Sequence, residues 1–163
     1  MSLGFEDLVR AAIPIADRLR ERGDTISVAE SSAGGLLSAS LLAVPGASAY
    51  FLGGSVVYTL AARRAIARIA DEEMIGMRSA SEPYAALLAR RVRENLGATW
   101  GLAETGASGP TGNRYGDSAG HSCIAICGPT RAVLTLETGV ADRYANMMQF
   151  THRALELLAQ ALR

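Results

Sequence analysis

The sequence predicts an α/β fold, a three-layer α/β/α sandwich in which a mixed β-sheet lies between two layers of helices. Helical and strand-like segments alternate through the first half of the chain, as they do in parallel sheets. Three strand-like segments then follow one another after residue 97, which requires antiparallel neighbours. The chain has 163 residues, 49% of them apolar, without an internal repeat or linker, so a single domain over residues 1–163 is expected.

The first predicted helix spans residues 4–22, where apolar side chains recur at helical spacing opposite arginine and glutamate. Pro14 cannot donate a hydrogen bond to the carbonyl of Arg10, so the helix is expected to kink or restart there. Gly23 ends the helix, and residues 25–29 have the composition of a short strand.

The later elements are predicted from the same patterns. Ser81 fits the N-cap position of a long helix, and Gly53-Gly54 indicates a bulge or a close backbone approach. A loop rich in Gly, Asn and Asp covers residues 106–120. The predicted elements are a helix over 34–42, a turn at 45–46, a strand over 50–58, helices over 60–69 and 82–96, strands over 98–103, 121–126 and 132–138, and a helix over 143–162.

The distribution of charged and apolar residues argues against several classes of protein. Acidic and basic side chains balance at sixteen each, which argues against a nucleic-acid or membrane-surface partner. No apolar stretch approaches the roughly 20 residues of a membrane span, and charges occupy the place of a signal peptide's apolar core. A cytoplasmic protein is therefore expected.

The two cysteines, Cys123 and Cys127, have two interpretations. On a helix their spacing would bring both thiols to one face, where they could bind a metal. The surrounding Ile and Ala residues favour a strand, on which residues 123, 125 and 127 share one face as small buried side chains. No second ligand cluster accompanies the pair, so no metal site is expected.

Polar segments at the ends of two predicted elements are candidates for function. Residues 29–35 follow a strand and precede a helix, where ligands of open α/β sheets collect and free amides favour an anion. The alternative is a turn that Ser31 or Ser32 caps. The turn at residues 45–51 contains Ser48, which its spacing alone does not single out as a nucleophile.

Two further segments could bind an anion. The loop over 104–117 has backbone amides that can surround one, and Arg114 can pair with it; the alternative is a structured surface turn. Asp142 is a natural N-cap of the last helix. Arg143 lies near that helix start, where a cation gains nothing from the helix dipole, so another role such as binding phosphate or carboxylate is expected.

In this order and spacing, these segments resemble the CinA C-terminal domain family over about residues 5–162. Six ordered motifs are far more specific than any one of them. The motifs are A-E-S-x-T-G-G, matched by residues 29–35; P-G-[AS]-S-x-[YF]-F, by 45–51; G-G-x-V-x-Y, by 53–58; S-E before a helix, by 81–82; T-G-x-[AS]-G-P-x-G, by 105–112; and G-[DE]-R, by 141–143.

The resemblance implies a serine amidohydrolase that converts nicotinamide mononucleotide to nicotinic acid mononucleotide and ammonia. It implies that Ser48 attacks the carboxamide, that a lysine at position 63 is the base, and that Tyr58 lies beside them. A homodimer or higher oligomer is expected, with no cofactor or metal and a nucleotide as its small-molecule partner. The residues expected to bind the substrate, from the resemblance and from the segments above together, are Ser31, Gly34, Gly35, Thr105, Gly106, Gly109, Asn113, Arg114 and Arg143.

The chain departs from the family pattern at three places. The lysine position is Arg63, and a guanidinium stays protonated in proteins, so it cannot serve as the base. The threonine of the first motif is Ala33. In the glycine-rich loop a lysine and its proline are lost, while Arg114, Tyr115 and Asp117 are gained.

Two residues are candidates for a replacement base. Glu104 could pair with Arg63, or act as a base if burial raises its pKa; otherwise it faces solvent. His121 could act near neutral pH; otherwise it caps a strand. The sequence thus leaves open a carboxamide hydrolase, a hydrolase of changed substrate, and a nucleotide-binding protein without catalysis.

Overall fold

The structure is a computed structural model that describes residues 2–163. Two single 3-10 turns, Ala47–Ala49 and Asp71–Met74, lie between the longer elements. The helices are α1 (Phe5–Arg22), α2 (Leu36–Leu42), α3 (Leu60–Ala65), α4 (Glu82–Leu96) and α5 (Arg143–Ala161), and the strands are β1 (Ile26–Glu30), β2 (Phe51–Val56), β3 (Trp100–Ala107), β4 (His121–Cys127) and β5 (Arg131–Glu137).

The five strands form one mixed sheet in the order β2-β1-β3-β4-β5. β1 runs parallel to both β2 and β3, whereas β3–β4 and β4–β5 are antiparallel pairs. The predicted mixed sheet is therefore confirmed, with the last three strands antiparallel as expected. Because β1, β2 and β3 point the same way, their carboxyl ends meet at one edge of the sheet.

Helices cover both faces of the sheet. On one face α1, α2 and α5 pack against large apolar side chains such as Val28, Trp100 and Leu102. On the other face α4 packs against small ones, Cys123, Ala125 and Cys127 among them. This confirms the predicted role of the cysteines as buried side chains on one strand face.

The small residues on the second face let α4 approach the sheet closely. A Cβ atom at Gly101 of β3 would collide with the carbonyl oxygen of Ala89 in α4. Larger side chains would force the helix away from β3, since protein interiors have little free volume. The approach matters for function because α4 begins at the edge where the parallel strands end.

Some features of the helices and strands are as the sequence predicts, and others differ. Ser81 caps α4 through a hydrogen bond from the Tyr84 amide of 3.3 Å, and Pro14 lies inside α1, which continues without a restart. The helix predicted over 60–69 ends at Ala65, and Arg68 has a left-handed φ of 56° that no helix accommodates. β3 continues to Ala107 because its antiparallel ladder with β4 continues that far.

In the part of the chain that the structure describes, no helix has both the length and the apolar character needed to cross a membrane. Nor do residues 2–163 contain a cluster of three or more His, Cys, Asp or Glu side chains that could hold a metal ion.

Candidate functional site

A cleft of two adjoining cavities opens at the edge where the parallel strands end. The larger cavity, of about 370 Å³, is called here the Arg63 arm, and the smaller, of about 260 Å³, the Arg143 arm. Tyr58, Gly106 and Asn113 line both arms. Of the predicted site residues, the Arg63 arm brings together Ser31, Tyr58, Arg63, Thr105 and Arg114, and the Arg143 arm adds Gly109 and Arg143.

Glu30, the last residue of β1, is fully buried and holds the start of α2. Its carboxylate accepts hydrogen bonds from the backbone amides of Gly35, Leu37 and Ser38 at 2.8–3.1 Å. The Ser38 hydroxyl adds a fourth at 2.8 Å. The carboxylate thus satisfies amides that a helix start leaves without partners.

Glu104, in β3, is also fully buried and fixes the turn after β1. Its carboxylate accepts the amides of Ser31 and Ala33, at 3.2 and 2.8 Å, and the hydroxyls of Ser32 and Ser122. The expectations that Glu104 faces solvent or pairs with Arg63 are therefore wrong. Burial raises the pKa of Glu104, and the neighbouring Glu30 adds to the rise. With four donors around it, Glu104 positions Ser31 and does not reach the cleft.

Ser31 is half-buried and lines the Arg63 arm. Glu104 holds its backbone amide, while its hydroxyl has no hydrogen-bond partner among residues 2–163. Gly34 and Gly35 have left-handed φ values of 68° and 100°, so they let the chain turn into α2. These two glycines shape the turn and lie outside the lining of the cleft.

Arg63 projects from α3 and is only 6% exposed. Its Nη2 pairs with Asp71, which also binds Arg64 at 2.5 Å. The buried Nε of Arg63 has no hydrogen-bond partner within residues 2–163. All sixteen basic residues of the chain are arginines, so the amine that the family pattern places here is not supplied by another lysine of this chain.

Thr105 and Tyr84 complete the floor of the Arg63 arm. The Thr105 hydroxyl accepts the amide of Ala80 at 3.2 Å, which ties β3 to the segment before α4. Burial raises the pKa of Tyr84 to about 12, so its hydroxyl remains a hydrogen-bond donor at neutral pH. Tyr84 and Ser79 had not been predicted as site residues; the S-E motif that precedes α4 was the sequence feature nearest to them.

The glycine-rich loop is held in place by Asp117 and Asn113. Asp117 binds Arg78 through two contacts of 2.6 and 3.0 Å, and Asn113 accepts the amides of Tyr115 and Asp117. The Tyr115 ring lies between two guanidinium groups, at 5.5 Å from Arg78 and 5.2 Å from Arg114. The residues gained relative to the family pattern therefore form one cluster.

The hydroxyl group of Tyr115 has a lowered pKa. The Arg114 guanidinium donates to its hydroxyl at 3.0 Å, and this hydrogen bond, with one from Ser79, lowers the pKa of Tyr115. The positive charges of Arg114 and Arg63 act in the same direction. Tyr115 lines the Arg63 arm together with Ser31.

Arg143 reaches out of the first turn of α5, which Asp142 caps through the Ala145 amide at 2.9 Å. Its guanidinium donates to the Gly109 carbonyl at 2.5 Å and to the Tyr58 hydroxyl at 3.2 Å. Gly109 has a left-handed φ of 109°, and a Cβ atom there would lie 2.6 Å from the Ala141 carbonyl oxygen. Arg143 thus contacts segments well beyond its own helix, although the predicted contact with a phosphate stays a prediction.

His121 contacts acceptors through both ring nitrogens. Nδ1 pairs with Glu137, and Nε2 donates to the Ala80 carbonyl at 2.8 Å. Burial opposes the charged ring, but the hydrogen bonds to Glu137 and Ala80 and the charge of Asp117 outweigh it and raise the pKa of His121. A ring held in this way does not offer a free lone pair to the cleft.

Ser48 lies at the other end of the sheet. It is exposed on the 3-10 turn before β2, whereas the cleft lies after β2. The six residues of β2 separate the two places by about 20 Å at the usual rise per strand residue. The nucleophilic role of Ser48 stays a prediction, and within a single chain Ser31 and Ser79 are the serines that line the Arg63 arm.

Comparison with known proteins is consistent with this fold and its motifs. The family model of the CinA C-terminal domain matches residues 10–162. A CinA-like protein of Myxococcus xanthus is 35% identical over 98% of this chain, and one of Anaeromyxobacter sp. (strain K) is 37% identical over 91%. The chain spans only 38% and 36% of the length of these two relatives.

Solved structures agree in fold. The competence/damage inducible protein CihA from Agrobacterium tumefaciens has a TM-score of 0.88 and 26% identity, covering 99% of this chain and 98% of the other. A CinA superfamily protein from Klebsiella pneumoniae has a TM-score of 0.89 at 24% identity, covering 95% and 97%. The molecule is thus an α/β sandwich with an arginine-lined cleft at its parallel edge. It belongs to the CinA C-terminal domain family.

Proposed function

We propose that the cleft binds a phosphorylated pyridine nucleotide, with the phosphate in the Arg143 arm and the pyridine ring in the Arg63 arm. The observation that carries the proposal is the charge of the lining. Arg63, Arg114 and Arg143 line the two arms, and no carboxylate does so among the described residues 2–163. A cleft lined by guanidinium groups and by no carboxylate favours an anionic ligand.

Shape and chemistry support a nucleotide. The two cavities, about 370 and 260 Å³, together fall within the range of about 300–1,000 Å³ of small-ligand sites. Gly109, Thr111 and Gly112 line the Arg143 arm beside the guanidinium, and a glycine-rich segment of this kind can offer backbone amides to a phosphate. Tyr84 and Tyr115 provide aromatic surface in the other arm, where a heterocycle can stack. By its family resemblance, nicotinamide mononucleotide is the first ligand to test.

The test is calorimetric titration with nicotinamide mononucleotide and with nicotinamide riboside, which lacks the phosphate. We expect Arg143→Gln to weaken the binding of the mononucleotide by about tenfold or more, because a phosphate contact is lost. The affinity for the riboside, which has no phosphate, should change by less than about twofold. Arg22→Gln, an exposed arginine on α1, is the matched control. No binding at millimolar concentration, or equal effects on both ligands, would contradict the proposal.

Hydrolysis of the carboxamide is the second candidate, and the free Ser31 hydroxyl in the Arg63 arm favours it. In this reaction Tyr115, whose lowered pKa makes its phenolate form more accessible, accepts the Ser31 proton in that form as the serine oxygen attacks the carboxamide carbon. Ammonia leaves with that proton, and water then hydrolyses the ester to regenerate Ser31 and release the acid. Tyr115 is the acceptor proposed because Glu104 and His121 are already occupied.

An ammonia assay with nicotinamide mononucleotide decides this second candidate. We expect Ser31→Ala to abolish release and Tyr115→Phe to lower it by about a hundredfold, while Ser48→Ala keeps it, since general base catalysis contributes about 10²–10⁴ in rate. If Ser48→Ala abolishes release instead, the attacking serine comes from another copy of the chain. If wild-type protein releases no ammonia but binds the nucleotide, only the binding function stands.

The resemblance also leads us to propose a homodimer or higher oligomer working in the cytoplasm. Light scattering coupled to size-exclusion chromatography measures the oligomeric state directly. A monomer at micromolar concentration would contradict it.

A further inference from the structure

We infer that the cleft prefers a ligand with a carboxylate in addition to its phosphate, and that Arg63 recognises this carboxylate. Within the proposed function, on which this inference rests, the preferred ligand is therefore the acid form of the pyridine mononucleotide and not the amide. The observation behind it is a buried, incompletely neutralised guanidinium in the arm opposite the one proposed for the phosphate.

The charge of Arg63 is poorly compensated for its burial. Arg63 is 6% exposed, whereas its one acidic partner, Asp71, has a side chain that is 53% exposed. Asp71 is also shared, because Arg64 binds both of its carboxylate oxygens. Two guanidinium groups and one carboxylate leave one positive charge. A buried charge without full pairing is costly, so the site gains when a second anion enters.

Arg63 also has donors to spare. Only Nη2 makes a hydrogen bond, to Asp71, while Nε and Nη1 have no partner within residues 2–163. Nε is enclosed by protein, but Nη1 is not among the enclosed atoms, so it is the nitrogen that a ligand in the Arg63 arm can reach. Arg114, by contrast, is exposed and already donates to Tyr115.

The two arms separate two anion sites. Arg143 lies in one arm and Arg63 in the other, with Tyr58 lining both. A phosphate bound at Arg143 therefore leaves Arg63 to face the substituent of the ring. A neutral carboxamide accepts a hydrogen bond there but leaves the charge uncompensated. A carboxylate accepts the same hydrogen bond and also neutralises the charge of Arg63. Such charge-assisted hydrogen bonds are roughly twice as strong as those between neutral groups.

Arg63, at the position where the family pattern has a lysine, favours the acid form of the mononucleotide for a further reason. A lysine amine can lose its proton in a buried site and then suits a neutral carboxamide. A guanidinium keeps its charge, and the Nη1 group of Arg63, which has no partner within residues 2–163, can donate a charge-assisted hydrogen bond to a carboxylate oxygen. At this position the substitution removes a base and creates a carboxylate receptor.

The test compares the dissociation constants of nicotinic acid mononucleotide and nicotinamide mononucleotide by calorimetry at neutral pH. In wild-type protein we expect the acid to bind at least about tenfold more tightly. In Arg63→Met, which keeps an unbranched apolar stem but removes the charge, the ratio should fall to about one. In Arg63→Lys it should fall to about threefold, because a buried amine can lose its proton and then suits the neutral carboxamide.

Arg64→Gln is the matched control. Arg64 is the next residue of the same helix and shares Asp71, but its side chain is 55% exposed and lies outside the cleft. Because Asp71 is then left to pair with Arg63 alone, the preference for the acid should fall by no more than about threefold, whereas Arg63→Met should abolish it. A preference that depends on Arg64 as strongly as on Arg63 would contradict a direct contact.

The outcomes are distinct. Equal affinities in wild-type protein, or tighter binding of the amide, overturn the inference while the proposed nucleotide site stands. A ratio unchanged in Arg63→Met overturns the role of Arg63. If neither nucleotide binds, the proposed function fails and the inference with it. Should Arg63→Met not fold, the wild-type ratio and Arg63→Lys still decide.

Discussion

Two serine-bearing turns, residues 29–35 and 45–51, carry motifs of the family pattern but have different surroundings. The first follows β1 and lies at the edge of the sheet with the cleft; the second precedes β2 and lies at the opposite edge. Two buried carboxylates, Glu30 and Glu104, accept four hydrogen bonds each, and the donors lie in the first turn, the start of α2 and β4. Ser48, in the second turn, is exposed.

The difference shows that membership of a motif does not place a residue at the site. The direction of the strand beside the turn decides at which edge of the sheet the serine lies. Because β1 and β2 are parallel, a serine after one and a serine before the other lie at opposite edges. The predictions below test how far the two turns differ in stability and in function.

The largest effect is expected at Glu104. Glu104→Ala should lower the free energy of unfolding by about 3 kcal/mol or more, because several buried donors lose their acceptor at once. Glu104→Gln should cost about 1 kcal/mol, since an amide of the same shape can still accept the two backbone amides. Urea denaturation measures both, and a cost below 1 kcal/mol for alanine would show that the carboxylate does not hold the first turn.

Glycines of the two turns provide a matched pair. Gly35 and Gly46 have left-handed φ values of 100° and 85°, so alanine at either should cost about 1–2 kcal/mol of stability. Only Gly35→Ala should also weaken nucleotide binding, because it disturbs the turn that carries Ser31. Calorimetric titration at matched folded fraction separates the two effects. Equal loss of binding in both variants would contradict the assignment of the cleft to the first turn.

The pH dependence of stability gives a third comparison. Burial raises the pKa of Glu104 above its ordinary value of 4.5, so the folded protein holds the proton more tightly than the unfolded chain does. That contribution is complete below about pH 4.5 and is lost as the pH rises through the folded-state value. Relative to wild type, Glu104→Gln should therefore become more stable between pH 5 and pH 8. A stability difference that stays constant over this range would argue against the raised pKa.

The smallest effect on stability is expected at Ser48. Ser48→Ala removes an exposed hydroxyl without a hydrogen bond to residues 2–163, so the free energy of unfolding should change by less than about 0.5 kcal/mol. Nucleotide affinity should change by less than about twofold in a single chain. A larger loss of affinity that appears only in the oligomer would place Ser48 in the cleft of a neighbouring copy.

Local sequence patterns determined the elements and the family of this protein. The helix over Glu82–Leu96, its Ser81 cap and the shared face of Cys123 and Cys127 depend on spacing within one segment, which the sequence states directly. The six ordered motifs likewise identify the family without coordinates, and the sequence shows directly that position 63, a lysine in the family pattern, is an arginine.

Only the tertiary structure decided which groups meet. That Glu104 holds the serine turn and does not pair with Arg63, and that His121 contacts Glu137, depend on strand order and register. Periodicity cannot encode these, because a side chain's partners come from segments distant in sequence. For the same reason, the sequence supplied two candidate serines, and the direction of the parallel strands placed Ser31 beside the cleft.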